Sequence, residues 1–252
     1  MSNPVLEHGG FAREGDVASS ASSAMTVGGS IVKTLILLVV LIVTAGITHQ
    51  SIADTGTVFG LQPQHVLIGG ILGALVAVVI GMMAKRAAAI FGFIYALLKG
   101  AVVGVVVFMY GAMYEGLPML AAVFTLTTFF GMLVLFMSRA IRVTPGFIRV
   151  IAGATIGLVV GMLVLMLLNM FGVGGGLSAS LFGAGPIGIG FSLFCVGLAA
   201  FNLMLDFHFI EVGSQRQMAK YYEWVAALGL LVTIVWLYLE ILRLLAKLRS
   251  GD

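Results

Sequence analysis

The feature that most constrains this chain is a series of long apolar segments that runs almost without interruption from Gly29 to Leu248. Hydrophobic residues make up 61% of the chain and charged residues only 9%, whereas soluble domains carry about 25% charged residues. A soluble core cannot enclose this much apolar sequence. The chain is therefore predicted to be all-α, a polytopic bundle of membrane-spanning helices.

Seven segments are long enough to cross a hydrocarbon core of about 30 Å, which takes about 20 helical residues. The predicted spans cover residues 31–48, 65–84, 88–113, 117–138, 147–171, 184–210 and 222–247. Residues 30–248 are thus assigned to one seven-helix transmembrane domain. Residues 1–29, rich in Ser, Ala and Gly, are predicted to be a disordered cytoplasmic tail, and the Gly/Ser-rich stretch 172–185 is predicted to be a flexible loop.

Lysine and arginine positions predict the orientation. These residues occur in the N-terminal tail, at the start of span one and in the connections 2–3, 4–5 and 6–7, and they are absent from the other three connections. The alternation predicts a cytoplasmic N-terminus. Seven spans then place Arg243, Lys247 and Arg249 on the far side, against the same rule. A six-span chain with a re-entrant last segment is the alternative.

Glycines at regular spacing predict close helix packing, because small residues let backbones approach each other. The four-residue repeats are Gly69/Gly73, Gly100/Gly104 and Gly153/Gly157/Gly161.

Among the ionisable residues inside the predicted spans, Lys99, Asp206 and Glu240 are the candidates for function. Burying a charge in hydrocarbon costs on the order of 3 kcal/mol, so each is expected to face a partner or a water-filled path. Lys99 lies roughly 17 Å into its span, near the bilayer centre. It is interpreted either as a functional cation or as a member of a structural ion pair.

The two acids have competing interpretations. Asp206, one turn after Asn202, is a candidate titratable gate or a structural acceptor at the membrane edge. Glu240 precedes Arg243 by three residues, and this spacing alone favours a simple intrahelical ion pair. Glu223 stands in an aromatic run and is interpreted as an interfacial anchor.

No sequence signature indicates enzymatic chemistry. The chain has no Walker motif, HExxH, GxSxG or dinucleotide-binding fingerprint, so no enzyme activity and no cofactor are predicted. The single cysteine, Cys195, excludes an internal disulfide and a multi-cysteine metal site. A net charge of +3 gives no indication of nucleic-acid binding.

Two C-terminal motifs carry a resemblance, Leu205–Glu211 (LDFHFIE) and Leu237–Leu245 (LYLEILRLL). They resemble the Bax inhibitor-1/YccA-like family of the TMBIM superfamily. The opening Ser2–Val5 (SNPV) and the connection Ile141–Pro145 (IRVTP) resemble a bacterial, actinobacterial-type branch. The resemblance covers roughly residues 25–248.

The resemblance implies a seven-helix bundle with the last helix near its centre. Some members are pH-sensitive calcium leak channels in which two acids, one from each motif, form a proton-sensitive gate. Carried over, this implies Asp206 and Glu240, which would share a proton and, once ionised, could bind calcium as the transported or bound ion. Lys99 is predicted to be their counter-charge. The alternative gate partners are Glu223, Arg86 and Asn202.

Two functions from different classes follow. The leading prediction is a proton-regulated calcium or cation leak in the bacterial plasma membrane. The alternative is a non-conducting membrane regulator that binds a membrane protease or another membrane protein through its N-terminal tail. Intramembrane charges that are all satisfied in pairs, with no water path, would favour the regulator.

Overall fold

The computed structural model describes residues 24–250 of the protein. Within them the chain forms eight α-helices and no named strand. The helices are α1 (Val27–Thr55), α2 (Pro63–Met83), α3 (Ala88–Met113), α4 (Leu117–Met137), α5 (Pro145–Met170), α6 (Gly175–Phe182), α7 (Pro186–Gln215) and α8 (Tyr222–Arg249). All except α6 are long and apolar enough to cross a membrane, so the predicted seven-span, all-α architecture is confirmed.

Local sequence signals explain where the helices begin. Proline stands at the first position of α2, α5 and α7, where a helix has no partner for a backbone N–H. Thr26 caps α1, because its hydroxyl accepts from the Gly29 amide at 3.0 Å. Residues 27–29 are therefore helical and not part of a tail as predicted, while residues 1–23 lie outside the described part of the chain. The predicted loop 172–185 contains the short helix α6.

The last helix, α8, lies at the centre of the bundle. It is buried over 67% of its apolar stretch, compared with 11–44% for the other six spans. One side of α8 joins a cluster with α1, α2 and α3, and another side joins a cluster with α4 and α7. The helix is continuous for 28 residues, about 42 Å. A re-entrant last segment is therefore the wrong alternative, and the central position implied by the resemblance is confirmed.

Glycines set the distance between α1 and α3. A Cβ added to Gly104 would lie 2.5 Å from the Ala45 carbonyl oxygen, and one added to Gly100 would lie 2.7 Å from that of Leu41. Backbones this close leave no room for a larger residue, so this glycine repeat packs helices as predicted. The repeat on α5 does not, because a Cβ on Gly153, Gly157 or Gly161 has no neighbour within 4 Å among the described residues.

Candidate functional site

Polar and small side chains form matching stripes on α7 and α8. On each helix they recur at alternating spacings of four and three residues, which keeps them on one face. The α7 stripe is Gly188, Ser192, Cys195, Ala199, Asn202 and Asp206. The α8 stripe is Gly229, Thr233, Trp236, Glu240, Arg243 and Lys247.

The two stripes face each other across the antiparallel helix pair. Near the end of the bundle where α1 begins, Asp206 lies against Gly229. Near the opposite end, the Lys247 ammonium donates to the Gly188 carbonyl and the Ser192 hydroxyl, both at 2.8 Å. We call the band formed by the two facing stripes the polar seam. The end of the bundle at which α1 begins is called the N-terminal end, and the opposite end is called the C-terminal end.

Asp206 is the most exceptional group in the seam. Its Oδ2 is buried and has no hydrogen-bond partner within the described residues. Its Oδ1 lies 3.6 Å from the position of a Cβ on Gly229. Thr233 is within reach of the carboxyl group, although its hydroxyl also donates to the Gly229 carbonyl at 3.2 Å. The seam therefore holds a carboxylate that the surrounding protein satisfies only in part.

Asp206 also lines a cavity of about 470 Å³ between α2, α5, α7 and α8. Its polar lining comes from Asn202, Asp206 and His208, and the rest is apolar. The Asn202 amide donates at 2.8 Å to the Thr155 hydroxyl and at 2.8 Å to the Leu198 carbonyl, which leaves its own oxygen available. Asp206 lies about 14 Å from the end of α7 along the helix axis.

Glu240 is not beside Asp206. It lies about 17 Å farther along α8 than Gly229. Its two carboxylate oxygens accept from Arg243 Nη1 at 2.9 Å each, and Trp236 Nε1 is 3.3 Å away. The connection between α7 and α8 is short, so the α8 residues opposite Asp206 come early in that helix. The structure therefore does not bring the predicted acidic pair together, and the spacing-based ion pair of Glu240 with Arg243 is confirmed.

Lys99 is not the counter-charge of either acid. It is half-buried and lies one turn from Tyr95 and one turn from Val103, both of which belong to the cluster of α1, α2, α3 and α8. Asp206 lies on α7, whose buried residues belong to the other cluster. Within residues 24–250, Lys99 makes neither an ion pair nor a hydrogen bond. The predicted pairing is thus wrong.

Glu223 has partners of its own. Its carboxylate is 1% exposed and accepts from the Thr26 amide and hydroxyl, at 2.9 Å each. It forms an ion pair with Lys33, whose ammonium lies 5.3 Å from the centre of the Trp224 ring. This buried cluster ties the start of α8 to the start of α1. Glu223 is therefore not a gate partner for Asp206.

Of the two remaining alternative gate partners, only one lies near Asp206. Arg86 is exposed on the short turn between α2 and α3 and does not line the Asp206 cavity. Asn202 does line it. Of the predicted site residues, only Asn202 is brought together with Asp206.

A family model described as Bax inhibitor 1 like matches residues 3–250. The chain belongs to this family. The match spans all eight helices, far beyond the two motifs of the C-terminal third. No curated protein and no solved structure matches the chain. Together with seven long apolar helices, membership of the Bax inhibitor 1 like family identifies an integral membrane protein.

Three cations at the C-terminal end of this Bax inhibitor 1 like protein contradict the charge rule for orientation, and each makes an internal contact. Lys247 is 5% exposed and, besides Gly188 and Ser192, donates to the Leu181 carbonyl at 2.9 Å. Arg243 pairs with Glu240. Arg249 donates to the Glu115 carbonyl at 3.0 Å. These cations have structural partners, so their number does not argue against a seventh span.

The predicted calcium site at Asp206 and Glu240 is not assembled. Calcium takes six to eight oxygen ligands, and two carboxylates on neighbouring helices whose levels differ by about 17 Å along α8 cannot hold one ion. No group of three or more His, Cys, Asp and Glu residues in the described chain is arranged to hold a metal.

Sequence reasoning missed Lys33, Thr233 and Lys247 as residues of the site. The heptad spacing of the α7 and α8 stripes was the signal that could have found the last two.

Proposed function

We propose that this Bax inhibitor 1 like protein is a proton-regulated cation leak whose route follows the polar seam. The observation that carries the proposal is Asp206, whose Oδ2 is buried without a hydrogen bond in the described chain and which lines the 470 Å³ cavity. Ionisable residues inside membrane spans commonly mark ion pathways and proton relays.

Asp206 supplies both binding and regulation in this proposal. An unpaired, ionised carboxylate is very costly away from water, so such a group holds either a proton or a cation. The two compete for the same oxygens. Cation occupancy, and with it the flux, therefore rises as the proton concentration falls.

Calcium is the proposed ion. Carboxylate, amide and hydroxyl oxygens are ligands of the type that calcium prefers, and Asp206, Asn202 and Thr233 offer one of each. Water molecules in the cavity complete the coordination. The Lys and Arg distribution supports a cytoplasmic N-terminus, so the cavity serves the cytoplasmic side. A bacterial plasma membrane is proposed from the resemblance of Ser2–Val5 and Ile141–Pro145 to a bacterial branch.

The seam is closed at its middle. Ala199, Leu203 and Leu237 are all 0% exposed there, between Asp206 and the ion pair of Glu240 with Arg243. Conduction therefore requires α7 and α8 to separate over this apolar section. In that open form, Glu240 becomes the acid of the exit side and Arg243 limits how strongly it holds a cation.

The non-conducting regulator is the second candidate. The closed apolar section and the paired Glu240 favour it, because neither leaves a continuous polar path. In this alternative the N-terminal segment binds a membrane protease or another membrane partner, and Asp206 is a structural carboxyl group.

Calcium entry into liposomes that contain the purified full chain tests the proposal. We expect flux above that of protein-free liposomes, and a loss of at least about tenfold in Asp206→Asn. Glu211→Gln is the matched control, because it removes an acid from the same helix at a surface ion pair with Arg139. Wild-type flux equal to that of empty liposomes would support the regulator instead.

A further inference from the structure

A second cavity, of about 270 Å³, lies at the C-terminal end of the bundle. It is formed by the ends of α3 and α8 and by the connection between α6 and α7. Its polar lining comes from Tyr110, Tyr114, Arg243, Lys247 and Ser250. Two cations and two phenols thus face one space at the level where the spanning helices end.

The charges around this cavity do not balance. Glu240 neutralises one of the two cations through its pair with Arg243. The Lys247 ammonium donates three hydrogen bonds, all to uncharged oxygens. Within residues 24–250, no acid lines the cavity. One positive charge therefore has no anion among these residues in a partly buried place, and an unpaired buried charge is costly.

Hydrogen-bond donors are also left over. Arg243 uses only Nη1 for Glu240, so its Nε and Nη2 make no hydrogen bond within the described residues. The hydroxyls of Tyr110 and Tyr114 have no hydrogen-bond partner in that part of the chain either. A guanidinium fork with neighbouring hydroxyls suits the oxygens of a phosphate group.

The rim of the cavity is apolar. Met109, Met113 and Phe182 are 50%, 68% and 42% exposed, and in a membrane such surface contacts lipid. Arg243 lies 5.8 Å from the centre of the Phe182 ring, so the polar interior and the apolar rim are continuous. This combination suits a molecule with a charged head and a hydrocarbon chain.

We infer that this cavity binds the phosphate group of an anionic membrane lipid, whose acyl chain runs along Met109, Met113 and Phe182. A zwitterionic lipid brings its own cation and leaves the extra positive charge uncompensated. The inference does not depend on the proposed cation pathway, because the cavity is present in the closed form whether or not the seam conducts, although Arg243 and Lys247 belong to both.

Native mass spectrometry of the purified full chain, offered phosphatidylglycerol and phosphatidylcholine in equal amounts, tests the inference. We expect the wild type to retain phosphatidylglycerol with a preference of about tenfold. The double variant Glu240→Gln/Arg243→Gln removes the guanidinium donors and leaves the net charge of the cavity unchanged, so it should retain phosphatidylglycerol several-fold less than the wild type. Arg249→Gln removes a guanidinium outside the cavity and should retain phosphatidylglycerol as the wild type does.

Tyr114→Phe provides a second variant that removes one hydroxyl and keeps the ring, so it remains informative if the double variant does not fold. It should weaken phosphatidylglycerol retention several-fold and leave phosphatidylcholine unchanged. Equal retention of both lipids by the wild type would overturn the inference, as would unchanged retention in Tyr114→Phe or an equal loss in Arg249→Gln. Displacement of the lipid by inorganic phosphate alone would reassign the cavity to a free anion.

Discussion

Asp206 and Gly229 are paired across the α7–α8 contact, with Asp206 Oδ1 3.6 Å from the position that a Cβ on Gly229 would take. The carboxylate thus occupies space that a side chain of ordinary size would fill. The partner of this acid on the central helix is a residue with no side chain, which keeps the carboxylate at the cavity instead of in an ion pair.

The size of the side chain at position 229 should therefore determine where the Asp206 carboxylate lies and how much calcium flux the protein supports. Gly229→Ala adds an atom at ordinary contact distance from Asp206 Oδ1 and from Met82 Cε, which is 3.5 Å away, so we expect folding and calcium flux close to those of the wild type. Gly229→Leu should displace the Asp206 carboxylate and lower the flux by about tenfold or more. Equal flux in the two variants would show that the cavity is not the entry site.

The buried ion pair of Glu223 with Lys33 should matter for stability. Removing one partner of a buried pair costs about 3 kcal/mol or more, because the other charge stays behind. We expect Glu223→Gln to lower the melting temperature of the purified protein clearly, and Glu223→Gln/Lys33→Met to restore part of the loss. Glu211→Gln breaks the surface pair with Arg139, whose side chain is 62% exposed, and should cost less than about 1 kcal/mol. Similar melting temperatures for Glu223→Gln and Glu211→Gln would contradict this assignment.

Glycine positions on α3 and α5 should differ in their tolerance of alanine. In Gly104→Ala the new Cβ would lie 2.5 Å from the Ala45 carbonyl oxygen, so α1 and α3 must move apart, at a cost of about 1–3 kcal/mol. Gly157→Ala has open space around it and should melt at the wild-type temperature or slightly above. Thermal unfolding in detergent compares the two, and a reversed order would contradict the packing of α1 on α3.

Lys99 should oppose cation flux. Its helix and that of Asp206 pack in different clusters around α8, so at least one helix diameter, about 11 Å, separates the two charges. At an effective dielectric constant of about 20, one unit charge at this distance contributes at most about 1.5 kcal/mol. We therefore expect Lys99→Met to raise calcium flux up to about tenfold, and Lys99→Arg, which keeps the charge, to leave it near the wild-type level. A decrease in Lys99→Met alone would instead make Lys99 part of the conducting structure.

Much of the fold could be predicted from the sequence, because a bilayer fixes the length and the apolar character of a span. The third span was predicted at residues 88–113, as in the structure, and the seventh differs only at its end. The first helix runs farther than predicted because it continues through the polar residues up to Thr55. Hydropathy identifies the membrane-embedded part of a helix and not its ends.

The candidate site was less predictable, because it depends on which helix faces meet. Asp206 and the pair of Glu240 with Arg243 were identified from the sequence. The separation of Asp206 from Glu240, and the pairing of Lys33 with the distant Glu223, follow from helix register and packing. Residues three or four positions apart in one helix reveal an ion pair by their spacing, whereas partners on different helices do not.

Calcium flux measured in liposomes at pH 6 and pH 8 tests the central claim most directly. If protons and calcium compete for Asp206, flux should be higher at pH 8, and Asp206→Asn should remove the difference. His208→Gln is the necessary control, because His208 lines the same cavity; it should keep the pH dependence. A pH dependence that survives in Asp206→Asn, or one that disappears in His208→Gln, would contradict the role of Asp206 as the proton sensor.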